Sequence, residues 1–139
     1  MRPLTAHELL NIWENSSGQS LVARSLQMIR VSCVDSYLTD PAKLSIGERD
    51  TRLFRLREWL FGSDLLSMAE CPQCHEKLEW MMPVSKLPVE LSEKKGGMPH
   101  YTMELTPYIV QFRLPNSYDL MTALSHREYT TDPKKLFFD

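Results

Sequence analysis

Residues 45–62 read SIGERDTRLFRLREWLFG, and this run decides the fold because it carries the strongest helical signal in the chain and then stops. Ser45 followed by Glu48 is the reciprocal pattern that satisfies free amides at a helix start. Gly62 stands where a left-handed stop costs least. Ile46, Leu53, Leu56 and Leu60 fall along one stripe, widened by Phe54 and Trp59. Glu48 and Arg52, four apart, are expected to form a surface ion pair. Arg49, Arg52, Arg55 and Arg57 read as a solvated face balanced by Glu48, Asp50 and Glu58.

Upstream, TAHE from Thr5 to Glu8 repeats the capping pattern and predicts a short helix to about Trp13. ENSSGQS breaks it, and Ser20 caps a second predicted helix in which Leu21, Val22, Leu26 and Ile29 recur near helical spacing, with Cys33 at its end. TDPAKL reads as a loop, because Asp40 before Pro41 is pushed away from helical geometry. Downstream of Gly62 the helical rhythm weakens. KLEWMM alternates Leu78, Trp80 and Met82 as a half-buried strand, although a helix is also compatible with it, and DLLSMAE before it is less clear. EKKGGMP is expected to be irregular. HYTMEL and YIVQFRL read as a hairpin joined at Thr106 and Pro107, with Tyr108, Val110, Phe112 and Leu114 on one face. PNSYDLMTALSH predicts a closing helix capped by Asn116 or Ser117, burying Leu120, Met121 and Leu124. Leu136, Phe137 and Phe138 make the final residues apolar enough to dock.

At 139 residues, 42% hydrophobic and 24% charged, the chain suits one globular domain. A net charge of -2 supplies no long-range field for phosphates, so nucleic acid is not the expected partner. No segment is long enough to span a membrane, and no signal-peptide apolar region or cleavage site is evident. Three cysteines cannot all pair within one chain, so a reducing cytoplasm is the simpler setting. No phosphate-cradling glycine loop or H-E-x-x-H helix occurs, and catalysis is not indicated.

AECPQCHEKLEW, residues 69–80, holds Cys71 and Cys74 with His75 directly after. The preferred reading is a metal knuckle, because two thiolates separated by two residues can bite one tetrahedral ion such as Zn²⁺. Such a site requires four ligands. His75, His100, Cys33, His126 or another chain are the candidates to complete it, and no spacing singles one out. C-x-x-C-H also matches a haem attachment, but no haem is expected without export. A redox dithiol would want a helix amino terminus inside a strand-helix-strand unit, whereas the preceding half is helical. A strand turn whose metal site has decayed is the bland alternative.

Three blocks in order, LSIGERDTRLFRLREWLFG, CPQCHEKLEW and FRLPNSYDL, resemble the baseplate proteins and hub assembly chaperones of T-even-type contractile phage tails and of phage-like contractile injection systems. The resemblance covers most of residues 5–124, with Gly47 to Asp50, Arg57, Glu58, Phe61 and Gly62 its most telling positions. It implies a nonenzymatic cytoplasmic protein that builds or belongs to a baseplate, with hub, spike or other baseplate proteins as partners. Two departures stand out. His75 replaces the glycine of a C-P-x-C-G pattern, and no second cysteine pair like that of longer relatives is present, so the resemblance does not extend to a complete zinc ribbon.

The expectation is therefore an α+β fold in one domain over residues 1–139: a helical part over 1–62, a small antiparallel β region over 63–114 with a zinc-ribbon-like knuckle, a closing helix over 115–128 and a tail over 129–139. Cys71, Cys74 and His75 are the expected partial metal set. Arg49, Arg57, Trp59, Phe61 and Trp80 are the expected partner contacts. The rival is a stand-alone zinc-binding or thiol redox protein using Cys71 and Cys74.

Overall fold

The computed structural model describes residues 1–33, 38–87 and 100–125. The caps expected from sequence set the first three helices. Helix α1 (Ala6–Asn15) opens where the Thr5 hydroxyl accepts the Glu8 N–H and the Glu8 carboxylate accepts the Thr5 N–H, and it runs two residues past Trp13. Helix α2 (Leu21–Ser32) is capped by Ser20, and the Cys33 N–H closes it on the Ile29 carbonyl at 2.9 Å. Helix α3 (Ile46–Phe61) has the two-way Ser45–Glu48 cap and stops at Gly62, whose φ of 90° is a conformation costly for a side-chain-bearing residue. Between α2 and α3 the expected loop contains a 3-10 turn over Pro41–Lys43, held by Asp40 accepting the Ala42 N–H.

α2 packs against both α1 and α3. Leu4, Ile12 and Leu56 meet in the core, with Met1, Leu9, Met28 and Val31 against them. Each such aliphatic side chain, once covered, contributes about 1.5–3 kcal/mol. Along the α3 stripe Leu56 is buried, Ile46, Leu53, Phe54 and Leu60 are half-buried, and Trp59 is exposed.

Two expectations about α3 are corrected. Arg49 is not part of a solvated face: it is 8% exposed. The physical reason is that the segment after the last strand packs over the first turn of α3. The Ile46 N–H donates to the Pro115 carbonyl at 3.0 Å, Ser45 and Asn116 form a β-bridge, and Arg49 Nη1 donates to Ser117 Oγ at 3.2 Å. Nor does Glu48 pair with Arg52. Its carboxylate is taken by the Ser45 N–H and hydroxyl, and Arg52 donates instead to the Glu48 carbonyl.

Among the described residues the β region forms two separate two-stranded antiparallel sheets. Strands β1 (Asp64–Glu70) and β2 (Lys77–Pro83) pair through all seven positions from Asp64 opposite Pro83 to Glu70 opposite Lys77. The ambiguous DLLSMAE is thus a strand, and the helical alternative for KLEWMM is excluded. The hairpin is anchored at its base by Val84, 1% exposed, whose N–H donates to the Ser63 carbonyl at 2.7 Å in a 3-10 turn packed on α3. Strands β3 (His100–Leu105) and β4 (Tyr108–Arg113) join at Thr106 and Pro107, linked by a cis peptide bond.

Helix α4 (Ser117–Ser125) is capped by Asn116, whose side-chain oxygen accepts the Tyr118 and Asp119 N–H groups at 2.9 and 3.1 Å. Leu120 and Met121 are half-buried, whereas Leu124, expected inside, is 50% exposed. The expected irregular EKKGGMP, the last residues of the closing helix with His126, and the tail with Leu136, Phe137 and Phe138 lie outside the described residues. Among the described residues, four helices and two small antiparallel sheets make the fold α+β.

Candidate functional site

CPQCH occupies the turn of the β1–β2 hairpin. The Cys71 N–H donates to the Glu76 carbonyl and the His75 N–H to the Cys71 carbonyl, both at 2.9 Å, so the chain reverses around the first cysteine. His75 lies at φ 60°, the left-handed region that glycine enters freely and a side-chain-bearing residue enters only with strain. Its ring compensates in part: Nδ1 stands 2.7 Å from Glu70 Oε1 on β1, and the carboxylate can only accept. Cys71 is half-buried and Cys74 exposed, both as free cysteines. The Cys74 and Gln73 backbone N–H groups and then the Cys74 thiol hold the Cys71 thiol below its ordinary pKa, against a smaller opposing effect of burial.

The structure therefore brings Cys71 and Cys74 together and draws His75 toward Glu70. Among the described residues no group of three or more His, Cys, Asp or Glu side chains converges as a metal site. Two thiolates fit half of a tetrahedral Zn²⁺ shell. The turn also lies between two strands rather than at a helix amino terminus, so the helix dipole that activates a redox thiol is not aimed at either cysteine.

The expected partner residues divide into two groups. Arg49 and Arg57 are engaged within the chain. Arg49 bonds Asp50 and Ser117, and Arg57 donates to the Gly62 and Asp64 carbonyls, where a cation also complements the carboxyl end of α3. The aromatic residues face solvent. Phe61 is 74% exposed, Trp80 44% and Trp59 41%, the last with the Arg55 guanidinium 5.8 Å from its ring.

A larger apolar surface was legible only as a pattern. In the β3–β4 register Tyr101 opposes Phe112, Met103 opposes Val110 and Leu105 opposes Tyr108, and alternation puts these six on one face. Tyr101 and Phe112 stack with ring centroids 5.5 Å apart. All six are between 38% and 71% exposed. The alternation of Tyr108, Val110 and Phe112 predicted the face; nothing in it could say that no described residue covers it. The β1–β2 hairpin likewise leaves Leu66, Met68, Leu78 and Met81 in solvent.

The corner between α3 and α4 links two of the three sequence blocks. Arg113 donates to both Asp119 carboxylate oxygens, and the Asn116 N–H donates to the same carboxylate at 2.8 Å. These bonds, Arg113 first, lower the Asp119 pKa to about 2. The Tyr118 hydroxyl donates to Asp40 Oδ2 at 2.8 Å, which lowers the carboxyl pKa and raises that of the phenol. No described helix is long and apolar enough to cross a membrane. No curated protein and no solved structure matches the chain. A family model described as T4 bacteriophage base plate protein matches residues 2–139, so the chain belongs to that family and its role is a structural or assembly role in a phage baseplate.

Proposed function

We propose that the protein is a non-enzymatic assembly chaperone or minor structural component of a contractile-tail baseplate, working by protein-protein contact with baseplate, hub or spike proteins. Its setting in this reading is the bacterial cytoplasm in which tails are built, whether it leaves afterwards or stays in the particle. The single observation that carries the contact mode is the β3–β4 face of six large apolar side chains standing in solvent. Single exposed apolar residues are common on soluble proteins, but a contiguous face of this kind marks a surface that another molecule covers. Trp59, Phe61 and Trp80 extend the aromatic surface elsewhere, and aromatic side chains are enriched in binding hot spots.

Co-purification with baseplate, hub or spike proteins is the expected result. The double substitution Met103→Lys and Val110→Lys, on directly opposed positions of the face, should weaken capture at least about tenfold, equivalent to about 1.4 kcal/mol. The helical circular dichroism of α1–α3 should persist. Undiminished capture by that variant would exclude the face, and a deletion that still yields normal particles would count against the assembly role.

A further inference from the structure

We propose that Cys71 and Cys74 form one half of a tetrahedral Zn²⁺ site whose other half is the same pair on a second copy of the chain. Three observations lead there. The pair sits in a tight turn that holds both thiols together, with the Cys71 carbonyl and N–H tied to His75 and Glu76. Among the described residues the donor count is two, and the candidate His126 lies outside them. No third described His, Cys, Asp or Glu joins the pair: the adjacent imidazole turns its Nδ1 to Glu70, Cys33 ends α2 and His100 begins β3. A closed zinc site needs four donors, and thiolates are the preferred kind.

The third observation is placement. The pair lies at the outer turn of a hairpin, and residues 72–81 are exposed throughout. Two such turns meeting about a twofold axis supply the same two sulfurs from each side, the self-complementary arrangement of an isologous dimer. Leu78 and Trp80, 52% and 44% exposed, share a hairpin face with Ala69 beside the turn and give the two tips apolar surface to close around the ion. The chemistry is proton release: four thiols lose four protons as four Zn–S bonds form, and no electron is transferred.

The test uses the full chain, reduced, titrated with Zn²⁺ and with Co²⁺ as the spectroscopic probe. The expected result is one metal per two chains, a doubling of molecular mass on metal addition and a cobalt spectrum of tetrahedral four-sulfur coordination. Cys71→Ser and Cys74→Ser should each abolish uptake and dimerisation while the helical circular dichroism is retained, and His75→Ala should keep both. No uptake, one metal per monomer, or metal bound without a change of mass would each overturn the proposal. The readouts are independent of partner capture, so a chain that binds baseplate proteins normally yet takes up no metal refutes this site and leaves the contact surface standing.

Discussion

His75 and Arg49 show how much a single position can hide. At His75 the φ of 60° puts a side-chain-bearing residue in left-handed geometry, a cost of about 1–2 kcal/mol for an L-residue. The Glu70 contact returns little of that, since both side chains are more than half exposed and such pairs contribute at most about 1 kcal/mol. His75→Gly is therefore expected to stabilise the β1–β2 hairpin by about 0.5–1 kcal/mol, read as slower amide exchange of its strands; faster exchange would mean that the carboxylate contact outweighs the strain. Arg49 runs the other way. Its guanidinium reaches from α3 to Ser117 in a nearly buried setting, while its charged partner Asp50 remains 41% exposed. Because Asp50 can return to water, Arg49→Ala should cost about 1–3 kcal/mol through lost packing and an unpaired hydroxyl rather than the larger penalty of a stranded buried charge. A denaturant midpoint unchanged from the parent would contradict this.

At the scale of elements, the caps are the part of the structure that the sequence makes legible. Thr5 with Glu8 and Ser45 with Glu48 are partners three residues apart, so their bonds follow from local spacing alone. The α3–α4 corner is not local: Arg49 and Ser117 are 68 positions apart, and helical periodicity placed the arginine on a solvated face. Exposure of the hairpin faces was hidden for a related reason, since alternation tells which residues share a face but not what lies opposite. Asn116 also caps α4, so Asn116→Ala is expected to destabilise by about 1 kcal/mol and to loosen the bridge to Ser45, measurable by chemical denaturation. Acid should act on the same corner and on the start of α1. Asp119 and Glu8 have pKa values lowered from 3.8 and 4.5 to about 2 by Arg113 and Arg2 respectively. A lowered folded-state pKa gives stability that is fully present above the ordinary carboxylate range and is lost as pH falls toward the folded value. Stability should thus be flat with respect to these groups above about pH 5 and fall between roughly pH 4.5 and 2, and Arg113→Gln should reduce the Asp119 share of that slope, leaving the part that the Asn116 N–H supplies.

Across the whole molecule, burial is unevenly distributed. Leu4, Ile12, Leu26, Ile29 and Leu56 are buried in or beside the helical part, whereas the β3 and β4 side chains are exposed apart from a half-buried Arg113. A two-stranded hairpin without a covering layer is at best marginally stable in water. Local opening should follow that division, because its free energy depends on the apolar contacts that must break. In the free protein, amides of α2 and α3 should therefore exchange only through near-global unfolding, while those of β3 and β4 exchange through local opening at least about a hundredfold more readily. Addition of a baseplate partner that covers the β3–β4 face should slow the hairpin amides selectively, because the bound complex must dissociate before the strands can open. Equal protection of hairpin and helices in the free chain would mean that the six-residue face is already covered, and the contact reading would then have to move to Trp59, Phe61 and Trp80.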